Sequence, residues 1–246
     1  MVKKLVLTLA LVAMTASPTL AKTIVFATDA TWPPMEFVNA DKKITGLAVD
    51  LMEAAGKEAG FTPEFKAVAW DGIFAGLAAG KYDAICSSVT ITDERKNTMD
   101  FSTPYMKVRQ ALVIPKKSAA KCIEDLKGKT LGAQISTTGH FAVKKTEGVK
   151  DKSYDEVGLA FEDLYNGRID GVVCDDPVAK LYALKKDNYK DALKIACIIP
   201  ADDELYGVAV QKGNKETLEL INKGLAAVTA KGLDKEILKK WLGTAD

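Results

Sequence analysis

Histidine is almost absent from these 246 residues: there is one, His140, beside four cysteines, so no metal centre built mainly from imidazoles is expected, nor any other cofactor. An excess of one charge sign is also missing. With 34 basic residues against 33 acidic ones, the chain lacks the clustered basic surplus that a nucleic-acid binder shows. Beyond the N-terminal segment no stretch reaches the roughly 18 uninterrupted apolar residues a membrane span needs. What remains, 48% hydrophobic and 27% charged, is ordinary globular composition, long enough for one large domain or two lobes of roughly 100 residues each.

The N-terminus reads as a cleaved secretory signal. Lys3 and Lys4 precede the apolar run Leu5 to Ala16, and Ser17 and Pro18 then lead to Thr19-Leu20-Ala21. The run is too short to span a membrane and has no polar face to make it an amphipathic first helix. Residues 1–21 are therefore expected to be removed after about Ala21, with no lipid-attachment cysteine nearby. The exported product carries 32 basic and 33 acidic side chains. Export permits disulfides. Cys86, Cys122, Cys174 and Cys197 allow three complete pairings and form no CxxC unit. Cys122 and Cys197 lie in polar or segment-end surroundings that suit a bridge near the surface, whereas Cys86 and Cys174 each end an apolar run and read as buried thiols. A nucleophilic cysteine would need a histidine base, and only His140 is available.

Strand and helix patterns alternate along the rest of the chain. Thr23 to Ala27 is β-branched and apolar, Val49 to Ala59 has helical spacing ending at Gly60, and Glu64 to Ala69 reads as a strand. Asp71 is a candidate N-cap for the next helix and Gly80 its stop. A partial repeat follows: Phe74, Leu77, Gly80 and Asp83-Ala84-Ile85 match Phe161, Leu164, Gly167 and Asp170-Gly171-Val172 at identical spacing. This predicts two similar α/β lobes. The short segments Tyr105 to Arg109 and Asp202 to Tyr206 are candidate crossovers, with helices ending at Trp241 closing the first lobe.

The strand ends carry the chemistry. After the strand Tyr82 to Cys86 comes a hydroxyl-rich loop, Ser87-Ser88-Val89-Thr90, with a single arginine at Arg95. The segment Lys129 to Ala133 leads past Gln134 into Ser136-Thr137-Thr138-Gly139 and a helix, so hydroxyls and backbone N–H groups face outward at a helix N-terminus, which favours an anion. Asp175 and Asp176 follow Val172-Val173-Cys174. A guanidinium, two hydroxyl clusters and a carboxylate can hold both ends of an α-amino acid zwitterion. Asp29, Trp32 and Trp70 add an acid and two flat apolar walls.

Together, ATDATWPPMEF, GLAVDL, VTITDERKNTMDFSTPY and the closing KKWLG resemble the polar amino acid solute-binding proteins of bacterial ABC importers, the relatives of glutamine-, histidine- and lysine/arginine/ornithine-binding proteins. The resemblance covers residues 23 to 242. It implies an α/β fold of two lobes, each a mostly parallel sheet flanked by helices, joined by a two-segment hinge and closing on a ligand. The first lobe would comprise 22–107 and 204–246, the second 108–203. Carried over residue by residue, Arg95 and Thr90 resemble the carboxylate holders, joined by Thr137 and Thr138. Ser88 with Asp175 resembles the ammonium site, Trp32 and Trp70 the aromatic walls, and Asp29 the contact to the ligand side chain. Ser87 falls in the same loop.

Three departures concern the ligand. Ala48 stands where many relatives carry the first aspartate of a G-F-D-x-D motif, which argues against a terminal cation held by two acids; Cys174 replaces a frequent histidine or glutamine beside the ammonium-binding aspartate; Gln134 replaces a lysine or an apolar residue. A polar ligand such as glutamine, histidine or arginine fits. The resemblance further implies a periplasmic monomer that delivers its amino acid to permease subunits in the inner membrane. Two alternatives use the same fold: a cyclohexadienyl or arogenate dehydratase-like enzyme, and a soluble ligand donor for a sensor.

Overall fold

The computed structural model describes residues 21–244, so all but the last residue of the expected signal segment 1–21 lies outside the described residues. Two five-stranded sheets organise the chain. In the first, β1 (Lys22–Thr28) lies between β5 (Phe61–Ala67) and β6 (Ala84–Ile85), parallel to both; β15 (Ala209–Gln211) and β7 (Met99–Phe101) complete the sheet with antiparallel pairings. In the second, β10 (Thr130–Gln134) lies between β11 (Lys150–Tyr154) and β12 (Gly171–Asp175), again parallel to both, and β9 (Gln110–Pro115) and β13 (Leu193–Ile198) continue it with antiparallel pairings. The two sheets share one plan, position for position. The repeat seen in sequence occupies equivalent places: α2 (Ile73–Ala78) feeds the third strand of its sheet and α5 (Val157–Tyr165) feeds the third strand of the other.

Between the sheets runs a two-stranded ribbon, β8 (Met106–Val108) antiparallel to β14 (Glu204–Tyr206). These are the two crossover segments expected from sequence. A small three-stranded sheet of β2 (Thr31–Trp32), β3 (Glu36–Val38) and β4 (Ile44–Thr45) follows β1.

The helices cover the sheet faces with their apolar sides. α1 (Leu47–Ala59) buries Leu47, Ala48, Leu51, Met52 and Ala55, and stops where Gly60 takes a φ of 85°. It packs against α7 (Lys215–Ala230) so closely that a methyl group on Gly224 would lie 2.6 Å from the Ala55 carbonyl oxygen. α8 (Leu233–Leu242) then brings Trp241 to Asp50, whose carboxylate accepts from the indole N–H at 2.7 Å. The second lobe adds α4 (Thr138–Lys145) and α6 (Asp176–Lys180), while α3 (Asp93–Thr98) sits beside the site. No helix among the described residues is long and apolar enough to cross a membrane.

One local expectation fails and another holds. Asp71 caps nothing: α2 begins one residue later from Gly72, at a φ of 93° with no side-chain cap, while the Ile73 N–H donates to the Trp70 carbonyl. Of the three cysteine pairings, the structure contains the bridge Cys122–Cys197, joining the residue before a 3-10 turn to β13 across a separation of 75 residues. Cys86 and Cys174 are free and buried.

Candidate functional site

The C-terminal ends of the central strands of both sheets point at one cleft, where ligands bind in open α/β sheets. A small cavity lies there, lined by Asp29, Trp32, Trp70, Ser87, Ser88, Thr90, Arg95, Gln134, Thr137, Thr138 and Asp175. Eleven residues singled out in sequence therefore meet in one place. Cys174 does not. Side chains alternate along a strand, so in β12 Asp175 and Val173 take one face while Cys174 joins Val172 on the other, 1% exposed and packed with Val178 and Tyr182. Its replacement of a polar residue cannot act on a ligand by contact.

Arg95 is presented by α3, whose N-cap Thr92 accepts from the Arg95 N–H at 3.2 Å. Its Nη1 donates to the Thr90 carbonyl at 2.8 Å and its Nη2 crosses the cleft to the Ser136 carbonyl at 3.2 Å. Trp70 and Phe74 lie beneath the guanidinium, with ring centres 5.6 and 5.1 Å away. Burial pulls the pKa of Arg95 down, offset by Glu204 and Asp175, yet arginine stays charged at physiological pH. A guanidinium has five N–H donors; two go to carbonyls here, leaving others for a carboxylate.

Opposite stands the N-terminus of α4. Thr137 is its N-cap: its hydroxyl accepts from the His140 N–H at 3.1 Å and donates to the Gln134 carbonyl at 2.7 Å. The hydroxyl is thus spent on capping, and what this turn can offer an anion is the unpaired backbone N–H groups of a helix start. A methyl on Gly139 would come within 2.7 Å of Gln110 Oε1 and 3.0 Å of the Val173 carbonyl, so only glycine lets the turn sit this close to the sheet. The Ser136 N–H donates to His140 Nδ1 at 3.0 Å, and His140 Nε2 lies 3.0 Å from Asp151. Ser88 and Ser136 both take left-handed conformations, at φ of 49° and 58°. Such strain concentrates at binding sites.

Three acids line or back the cavity on the first lobe's side and at the end of β12. Asp29 accepts from Thr31 Oγ1 at 2.8 Å and, across the cleft, from Gln134 Nε2 at 2.7 Å; burial raises its pKa against these hydrogen bonds. Glu36, absent from the sequence expectations, is fully buried and accepts from Ser88 Oγ at 3.0 Å; burial holds it well above the usual carboxylate range, helped by Asp29 and Asp175. Asp175 accepts from the Tyr206 hydroxyl and from Gln110 Nε2, and burial pushes its pKa up to about 7, with the Glu204 and Asp176 charges adding to the rise.

The Asp175 shift has a definite sign. Between the ordinary 3.8 and about 7 the folded protein holds a proton that the unfolded chain gives up. This contribution to stability is complete below pH 4 and is lost as pH rises through 7. Urea unfolding of the unliganded protein is expected to show stability falling by on the order of 2 kcal/mol between pH 5 and pH 8 through this group. Asp175→Asn removes that part of the slope; an unchanged slope in the variant would show that Asp175 is not its source.

Two α/β lobes, a two-stranded connection between them, and a polar cleft where strand ends from both lobes converge define a protein that captures a small solute. The chain matches the model for bacterial extracellular solute-binding proteins, family 3, over residues 24–244, and it belongs to that family. It is 37% identical over 244 residues to the ABC transporter arginine-binding protein 1 of Escherichia coli (strain K12), covering 97% of this chain and 98% of that one. Among solved structures, an ancestral arginine-binding protein bound to glutamine superposes with a TM-score of 0.84 at 41% identity, covering 90% of this chain and 98% of the other. The ancestral amino acid-binding protein AncCDT-1, a precursor of cyclohexadienyl dehydratase, gives 0.82 at 34% identity over 89% and 95% of the two chains. The chain is thus a solute-binding protein of the ABC-importer type.

Proposed function

We propose that the protein binds a polar L-amino acid between its lobes, with the α-carboxylate between Arg95 and the N-terminus of α4 and the α-ammonium at Ser88 and Asp175. The observation that carries this reading is that one cavity holds a partner for each charge: a stacked guanidinium and a helix N-terminus for the carboxylate, and a buried carboxylate with a serine oxygen for the ammonium. Ser88 gives its hydroxyl hydrogen to Glu36, so only lone pairs remain to face the cavity, which suits an ammonium donor. Buried charges are tolerated only when paired, and this site supplies a partner for each end of a zwitterion.

The side chain of the ligand would run toward Asp29 and Gln134 between Trp32 and Trp70. One relative is named for arginine and one solved structure holds glutamine, and both of these side chains donate hydrogen bonds. The lobes, 22–107 with 204–246 and 108–203, would close as rigid bodies about the β8–β14 ribbon, and differential affinity for the closed form would let permease subunits distinguish loaded protein from empty. Export through the N-terminal signal would place a monomer in the periplasm.

Catalysis is not part of this reading. In it Asp29, hydrogen-bonded to Thr31 and Gln134, and Asp175, hydrogen-bonded to Tyr206 and Gln110, have binding roles at the two ends of the ligand. A thermal-shift panel of the twenty amino acids, ornithine, citrulline and cystine tests the proposal. A ligand at 100 times its Kd adds about 2.7 kcal/mol, which for a chain of this size raises Tm by roughly 5–10 °C. At least one amino acid is expected to do so; a flat response across the panel, or turnover of prephenate or arogenate, would overturn it.

A further inference from the structure

Glu204 lies on the hinge ribbon, in a run, ADDELYG, whose charge reads as solvated surface. Its side chain instead turns toward residues that line the site and takes hydrogen bonds from both lobes. Thr90 Oγ1 donates to Glu204 Oε2 at 2.9 Å from the first lobe; Thr138 Oγ1 donates to the same oxygen at 2.7 Å from the second. Gln110 Nε2 lies 3.2 and 3.3 Å from the two carboxylate oxygens. Thr90 and Thr138 both line the cavity.

This arrangement decides what those two hydroxyls can offer. A threonine has one O–H hydrogen and two lone pairs. With the hydrogens of Thr90 and Thr138 committed to Glu204, both oxygens can present only lone pairs to the cavity. Ser88 is in the same condition through Glu36, and Asp175 is an acceptor already. The Gln110 amide sits among this set: its Nε2 is within hydrogen-bond reach of Thr138 Oγ1, Asp175 and Glu204, more acceptors than its two hydrogens can satisfy, while its buried Oε1 has no partner. Three donors and a full positive charge would fit these acceptors better than an amide does.

We infer that Glu204 is a positioning residue for the ligand's α-ammonium: from the hinge it orients the Thr90 and Thr138 hydroxyls as acceptors and adds a second carboxylate beside Asp175. The inference rests on the amino acid reading above and changes one part of it, since Thr90 then serves the ammonium rather than the carboxylate. Because β14 is one of only two strands in the connection between the lobes, and because Glu204 touches both lobes, the same contacts tie recognition of the ammonium to the closed arrangement.

Glu204→Gln keeps the shape of the side chain but replaces one acceptor oxygen with an amide donor. The probes are two pairs that differ only in the α-ammonium: L-arginine with 5-guanidinopentanoate, and L-glutamine with 4-carbamoylbutanoate. By calorimetry, with competition for the weaker member, Glu204→Gln is expected to weaken the amino acid at least tenfold while changing its desamino partner less than threefold, and Glu204→Asp is expected to recover part of the loss. Equal losses for both members of a pair would mean that Glu204 only holds the hinge, and unchanged or tighter binding of the amino acid would mean that it competes with ligand; either result overturns the inference. Circular dichroism and Tm of the variant separate misfolding from either outcome, and if Glu204→Gln does not fold, Thr90→Val with the same probe pairs is expected to show the same selective loss, equal losses there overturning the inference. Failure of wild-type protein to bind any probe or panel amino acid would instead sink the amino acid reading itself.

Discussion

Arg95→Ala is expected to weaken binding of the amino acid by about 2–5 kcal/mol, the cost of leaving a desolvated carboxylate without its charged partner, or roughly 30- to several-thousand-fold in Kd. The geometry explains why one residue matters this much. Arg95 alone among the cavity-lining side chains is a cation, and its orientation is fixed from three directions: the Thr90 carbonyl, the Ser136 carbonyl across the cleft, and the rings of Trp70 and Phe74. Truncation to alanine removes the charge and a direct hydrogen bond that spans the cleft beside the cavity, as that of Gln134 to Asp29 also does. Arg95→Lys keeps the charge but neither the paired donors nor the stacking, so it should recover only part of the affinity. Calorimetry on both variants checks this; wild-type affinity in Arg95→Ala would show that the carboxylate is held elsewhere.

Replacing both Cys122 and Cys197 by serine is expected to cost about 4 kcal/mol of stability, from the loop-closure entropy of a bridge spanning 75 residues. For a protein of this length that is a fall of roughly 8–16 °C in Tm. The bridge ties the 3-10 turn Ile123–Leu126 to β13, beside a cluster that includes Leu112, Ile114 and Val143. That cluster lies beneath β10 and α4, which carry Gln134, Thr137 and Thr138. Ligand affinity at low temperature should nonetheless change little, because neither sulfur reaches the cavity. Denaturation curves with and without reductant measure the effect, and a shift below about 2 °C would show that the denatured chain gains little freedom when the bridge is broken.

The parts of the fold that could be read from sequence are those in which one residue type has one physical use. Gly60 and Gly80 end helices because each takes a positive φ, at 85° and 68°. The repeat around Phe74 and Phe161 appears because helix-to-strand junctions of the same geometry demand the same apolar edge and glycine. The site residues stand out where hydroxyls, a lone arginine and an acid follow apolar strands. The failures have physical reasons as well. Cys174 and Asp175 are neighbours in sequence, but a strand sends them to opposite faces, and the alternation of β12 could have excluded Cys174. Glu36 sits in PPMEF among apolar residues, a weak sign of a buried acid. Gln110 begins an otherwise apolar strand, QALVIP, and Glu204 looks like solvated charge; their meeting depends on β9 and β14 arriving from distant parts of the chain.

The central claim is that both lobes hold the two ends of one amino acid. A crystal structure of the protein grown with the amino acid that gives the largest shift in the thermal panel tests it most directly. The account predicts the α-carboxylate on the Arg95 guanidinium facing the first turn of α4, with the α-ammonium among Ser88, Thr90 and Asp175. A ligand bound in the reverse orientation, or held by one lobe without contact to Arg95, would contradict it.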